Sequence, residues 1–311
     1  FGAMRLGTNL AWVNNYSGAW PFANIMWHAA MPALATGLGA FTFDGNVLTA
    51  AVSTDIFRFQ LSDLPARTLT GTYTILNPDG CQVYLGGYTA PSAGQFSTAP
   101  VISVEITNPT TATCFFVRGS LTANAGSVKV ILPGCLDSWN AGDIFHPDFV
   151  AYCQDLKLPF VRTMDWTQAS ESIEMDWADR TLLTDTTFKN YQVKACVPYE
   201  AICKLAERLS VDVWVCTPAR ASSDYVQKMA ELFRDNLPAG RKVWVELGNE
   251  IWNLANPWGA NTTWITTNDF TRKLAVGNLV TGNFTLVGHG LANGTVIAID
   301  TLLNDSSTQA D

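Results

Sequence analysis

The residues best suited to chemistry stand together at 243–253, VWVELGNEIWN. Glu250 follows an amide, Asn249, and precedes an indole, Trp252. A carboxyl beside apolar rings suits a general acid, and a neighbouring amide can hold a sugar hydroxyl. The run KVWVEL at 242–247 reads as a strand, so Glu250 would leave its carboxyl end. A second account also fits, since Asn-Glu can cap a helix that follows.

Other candidates lie upstream. Arg162 sits three residues before Asp165-Trp166, and Arg220 and Tyr225 follow another apolar run. Arg162, Asp165, Trp166, Arg220 and Tyr225 are therefore candidate substrate contacts with Asn249 and Trp252. Trp166, Trp177 and Trp252 would form a floor for sugar stacking, or would simply fill a core. Asp165 is a possible second carboxylate, or a partner for Arg162 or Arg180. Glu246, four residues before Glu250 on the same strand, is expected to lie too deep or on the wrong face. Trp177-Ala178-Asp179-Arg180 reads as a salt-bridged corner.

These residues need elements to position them. Residues 4–13 read as a buried strand, and 160–164 (FVRTM) as a second. Residues 199–209 place Ile202, Leu205, Ala206 and Leu209 at helical spacing. Residues 211–216 form the third strand. Ser222-Ser223-Asp224 offers caps for a helix running to Asn236, and 242–247 is the fourth strand. Alternating strands and helices imply a parallel sheet, for which a closed barrel is one of two common solutions. The expected fold class is therefore α/β, a (β/α)8 TIM barrel of which only the first four βα units are present. Four such units do not close an eight-stranded barrel, so this reading places the remainder outside these residues.

The texture differs between about 36 and 133. Runs at 40–43, 71–76, 82–85, 101–106, 114–119 and 127–132 are separated by Gly, Pro, Asn and Asp. Asn77-Pro78-Asp79-Gly80 is a turn in which proline presets φ and glycine accepts positive φ. This pattern predicts an inserted all-β domain, a sandwich or jelly roll. The expected division is 1–34 for barrel strand one, 35–135 for the inserted β-sandwich and 136–265 for strands two to four. Residues 266–311, with short strands at 283–287 and 295–300, would begin a second β insertion or module.

Composition narrows the function. Of 311 residues 48% are hydrophobic and 15% charged, which excludes a disordered chain. Nineteen basic residues against 27 acidic ones give a net charge of −8, without a basic run to hold nucleic acid. No apolar stretch is long enough to span a bilayer, and no signal peptide opens the chain. Seven cysteines without a C-x-x-C pair favour buried free thiols, and His28, His146 and His289 are too scattered for a metal site. No metal or cofactor is expected. The eleven tryptophans suit a neutral glycan as partner.

The ordered set of motifs resembles a known group. It comprises Gly7-Thr8-Asn9-Leu10, Trp20-Pro21-Phe22, Arg162-Thr163-Met164-Asp165-Trp166, Trp177-Ala178-Asp179-Arg180, Pro218-Ala219-Arg220 with Asp224-Tyr225, and residues 246–253. Asn249-Glu250 after a fourth strand is similar to the clan of retaining (β/α)8 glycoside hydrolases. More closely, the set resembles poorly characterised cellulase-like bacterial proteins with a β-domain insertion. The resemblance implies that Glu250 is the acid/base, that Arg162 lies near the nucleophile, and that a strand-seven glutamate outside this chain is the nucleophile. Where this chain has Ala219, the group often has histidine, so one groove contact is missing.

Two functions follow as expectations. The first is hydrolysis of a β-linked polysaccharide by a retaining two-carboxylate mechanism, which needs carboxyls about 5–5.5 Å apart. The alternative is a non-catalytic glycan-binding or adhesion module of a phage or cell-surface assembly. Either is expected outside the cell or at a virion or cell surface.

Overall fold

The computed structural model describes residues 7–17, 19–37, 39–43, 47–121, 128–188, 197–255, 259–268, 274–278 and 283–286, with side chains up to residue 265. The expected strand at 295–300, Cys196 and His289 lie outside them.

The structure is a mixed α/β arrangement: a parallel four-stranded sheet with helices, plus separate antiparallel sheets. Fifteen strands are described, numbered here in chain order. β1 (Thr8–Asn9) opens the parallel sheet. β2 (Ala33–Thr36), β3 (Phe41–Phe43), β4 (Leu48–Ala50), β5 (Ile56–Gln60), β6 (Gly71–Leu76), β7 (Gln82–Gly86), β8 (Val101–Ile106), β9 (Cys114–Arg118) and β10 (Lys129–Ile131) are antiparallel. β11 (Phe160–Arg162), β12 (Asp212–Thr217) and β13 (Val243–Leu247) complete the parallel sheet in the order β1-β11-β12-β13. No closure joins β1 to β13 among the described residues, so the sheet is open rather than a barrel.

β1 and β11 are neighbours in space although the antiparallel strands lie between them in sequence. Those strands form a sheet ordered β2-β5-β9-β7, a second ordered β10-β6-β8, and the β3-β4 hairpin. Phe57, Phe59, Phe115 and Val117 of the first sheet share one buried cluster with Tyr73, Ile75 and Val130 of the second. In strand β5 Phe57 and Phe59 are buried, and Arg58 and Gln60 alternate with them on the other face. The Arg58 guanidinium lies 3.8 Å from the centroid of the Tyr88 ring and donates to the Tyr88 hydroxyl over 2.9 Å.

The helices have ordinary causes. α1 (Leu136–Asn140) is a single turn. α2 (Pro147–Asp155) starts at His146, whose Nδ1 accepts the Asp148 N–H over 3.2 Å, with proline at a position that needs no donor. α3 (Tyr199–Leu209) ends at Ser210 in the left-handed conformation. α4 (Ser223–Asn236) is capped by the Ser222 hydroxyl, which accepts from the Tyr225 N–H over 3.2 Å.

Ile202, Leu205 and Ala206 of α3 and Met229 and Phe233 of α4 are buried with Val161, Val213 and Val215 of the sheet. Each large side chain so buried contributes about 1.5–3 kcal/mol. Phe160, Arg162, Trp214, Cys216, Trp244 and Glu246 alternate with these valines and occupy the opposite face. There Phe160, Trp214, Trp244, Val245 and Glu246 line an open cleft of about 420 Å³.

The segment at 22–29 joins the two cores. Phe22 and Trp27 pack in the core under the parallel sheet, whereas Ala23, Ile25, Met26 and Ala29 enter the β-rich core. Buried Asn24 accepts from Met26 N–H over 3.3 Å and from Val130 N–H over 3.0 Å. The six described cysteines are buried and unpaired.

α5 (Gly259–Asn268) crosses the boundary expected at 265/266. Residues 264–311 form a second compact unit, in which β14 (Leu274–Asn278) pairs antiparallel with β15 (Asn283–Leu286). Among the described residues no helix is long and apolar enough to cross a membrane.

Candidate active site

The carboxyl ends of the four parallel strands bring several predicted residues together. After β13 the chain turns sharply: Gly248 has φ +59° and Glu250 has φ +48°. At Gly248 an added Cβ would meet the Ile251 side chain and lie 3.3 Å from the Ala219 Cβ, so glycine is required there. Glu250 adopts the left-handed conformation despite carrying a side chain, which costs about 1 kcal/mol. It is half-buried, and its Oε2 accepts from Asn253 Nδ2 over 2.9 Å. Asn253 N–H also donates to the Glu250 carbonyl over 2.8 Å, closing the turn. Residues 251–255 form no helix, so Asn249-Glu250 does not cap one there.

Asn249 is buried beside Glu250. Its Oδ1 accepts a long contact of 3.4 Å from Arg162 Nη2, and its Nδ2 donates to Ser170 Oγ over 3.0 Å. The same Arg162 nitrogen donates to Glu246 Oε2 over 2.7 Å. Trp214 Nε1 donates to that carboxylate oxygen over 2.9 Å, and Cys216 Sγ lies 3.4 Å from it. Burial, then the neighbouring Glu246 carboxylate, pushes the Cys216 thiol up to about 12, so it stays protonated and unreactive.

Among the described residues Asp165 does not pair with an arginine. It accepts from Asn9 Nδ2 over 2.8 Å, while Arg162 binds Glu246 and Arg180 binds Glu200 over 2.9 Å. The physical reason is topology: the parallel register sets β1 beside β11, which brings the amide of Asn9 to Asp165. Nearby, burial and then the Asp165 carboxylate hold the Glu171 carboxyl above its ordinary value.

The remaining candidates separate. Trp166 is buried against Phe22 and donates from Nε1 to the Ala11 carbonyl over 3.1 Å, so its ring belongs to the core. Tyr225 is also fully buried, donating to Glu174 Oε2 over 2.9 Å beneath Trp177. Trp177 stacks on Tyr199, with Arg180 4.1 Å from its centroid. Trp252 is 75% exposed and stands free beside the turn. Arg220 is bound to the start of α5. Its Nε donates to Asn261 Oδ1 over 2.8 Å, and its Nη2 to the Ala260 carbonyl.

Sequence reasoning missed Ser170, and it set Glu246 aside as too deep or on the wrong face. Ser170 leaves no signal, being one small polar residue in a long loop. Glu246 leaves one: it lies two residues from Trp244, on the face that carries Trp214 and Cys216, where a charge requires a partner.

Comparison with protein-family models and with curated proteins gives no match. Among solved structures the chain is similar to a peptidoglycan O-acetylesterase at 10% identity and a TM-score of 0.22, covering 83% of this chain and 71% of that one. A likeness of that size carries no argument about fold or activity.

Proposed function

We propose that the chain is a glycoside hydrolase-like module acting on a β-linked polysaccharide, with Glu250 as acid/base. In this reading the parallel sheet is the first half of a (β/α)8 barrel, the antiparallel sheets are an inserted β-sandwich, and the nucleophile lies outside these residues. The observation that carries it is the placement of Glu250. A half-buried carboxyl, held in a left-handed turn at the end of the fourth parallel strand, has Asn249 beside it and Arg162 reaching across from the second. Strained backbone at a strand end suits a reacting side chain held in one orientation.

The chemistry follows the retaining scheme. Glu250 protonates the leaving oxygen as the nucleophile attacks, then takes a proton from the water that releases the sugar. Asn249, fixed on both sides, is placed to hold a ring hydroxyl. Such an activity belongs outside the cell or at a virion or cell surface. The test is Glu250→Gln in the full-length protein. Release of reducing sugar from β-linked polysaccharide should vanish while the circular-dichroism spectrum is unchanged; retained release overturns the reading.

The exposed ring of Trp252 favours a second reading, glycan binding without turnover. Saturable binding by the wild-type protein with no sugar released would select it.

A further inference from the structure

We propose that Glu246 is a positioning residue that fixes the amide of Asn249 through Arg162. The inference rests on the reading of Asn249-Glu250 as the functional pair only for its catalytic consequence, not for its geometry.

Glu246 is half-buried on the cleft face of the sheet, where Oε2 gathers Arg162 Nη2, Trp214 Nε1 and Cys216 Sγ. A carboxylate so placed anchors the guanidinium, because a charge-assisted hydrogen bond at 2.7 Å is short and strong. Trp214 supports the same arrangement from below, its ring centroid 5.0 Å from the guanidinium carbon. Arg162 cannot then swing away, and its Nη2 remains 3.4 Å from Asn249 Oδ1. A side-chain amide has two orientations that exchange donor for acceptor. A cation on one side and the Ser170 hydroxyl on the other leave one of them favourable. Asn249 therefore presents oxygen to Arg162 and nitrogen to Ser170 before any ligand arrives. Glu246 touches neither Asn249 nor Glu250 in this arrangement; it acts through the arginine.

The experiment is side-chain amide hydrogen exchange by NMR in the 311-residue chain, labelled with ¹⁵N at asparagine. Glu246→Gln should speed exchange at Asn249 Nδ2 about tenfold, the factor equivalent to one net hydrogen bond. Asn77, which donates to the Cys81 carbonyl over 2.9 Å in the inserted region, is the internal reference and should not change. Arg162→Lys, which keeps the charge but loses the planar fork, should also release Asn249. It replaces Glu246→Gln if that variant fails to fold. Unchanged exchange at Asn249, or equal acceleration at Asn77, overturns the positioning role. Absence of sugar release from the full-length wild-type protein would sink the hydrolase reading alone. In an active protein, Glu246→Gln should lower kcat about tenfold with KM unchanged, the mark of an interaction that matters in the transition state.

Discussion

Arg220 and Asn261 are joined by a 2.8 Å hydrogen bond that ties the loop after the third parallel strand to α5. The Asn261 amide also donates to the main-chain carbonyls of Ser170 and Ser172 over 3.2 and 3.1 Å. One buried side chain of α5 thus holds two loops at the end of the sheet where Asn249 and Glu250 lie.

Replacing Asn261 with alanine should therefore destabilise the protein by about 1–3 kcal/mol, since it leaves buried carbonyls and a guanidinium without that partner. Urea unfolding measures it. A midpoint indistinguishable from wild type would show that the two loops are held by other means.

Glu250→Gly should have the opposite sign on stability. Glycine accepts φ +48° without penalty, so the variant should gain up to about 1 kcal/mol less the contact with Asn253. Glu250→Val, branched at Cβ, should lose stability instead. The same urea series, compared at equal m-value, decides both. If Gly and Val variants shift alike, the turn holds no strain.

Stability should fall as the solution is acidified, and His28 should be one cause. Burial pulls its imidazole down to about 3, only partly opposed by the Asn14 backbone. The unfolded chain, with an ordinary value near 6.5, takes up a proton that the folded protein refuses. Its contribution is complete above pH ~6.5, is lost progressively as pH falls, and is exhausted near pH ~3, with an upper bound of about 5 kcal/mol. His28→Phe keeps a ring against Trp20 and Phe22 and should flatten this limb. Denaturant midpoints between pH 7 and 4 would refute the assignment if the two proteins lose stability in parallel.

Tyr225→Phe should cost about 1–2 kcal/mol, because it removes a donor from the buried Glu174 carboxylate. Glycan affinity should be unaffected, as the hydroxyl faces the core. Isothermal titration with a soluble β-linked oligosaccharide, beside a melting curve, separates the two effects. A change in affinity without a change in melting would put Tyr225 at the binding surface.

The parallel part of the fold was readable because its signals are local. Residues 199–209 and 222–236 carry helical stripes, the second with a serine cap, and KVWVEL carries the apolar run of a strand, which the structure places exposed at the sheet edge. Strand β5 was passed over although Phe57-Arg58-Phe59-Gln60 alternates apolar with polar residues, because the alternating run is only four residues long. Strand β2, Ala33–Thr36, straddles the boundary expected at 34/35, which has no turn chemistry to mark it. At the site, Asn249 and Glu250 stood out by type and position. The choice of Glu246 rather than Asp165 as the partner of Arg162 did not, because it spans 84 residues and depends on strand register. Trp166 and Tyr225 were misleading for a related reason: an aromatic after a strand reads the same whether it faces ligand or core.

The stretch from Phe22 to Ala29 gives the inserted strands a standing that a loop excursion would not have. Excising 35–135 would leave Ile25 and Met26 facing water, and would remove the Val130 amide that Asn24 holds. The insertion is therefore no detachable passenger. Neither half can be borrowed without the other, and a chimera that splices the parallel sheet onto a different partner would have to rebuild this seam before it could fold.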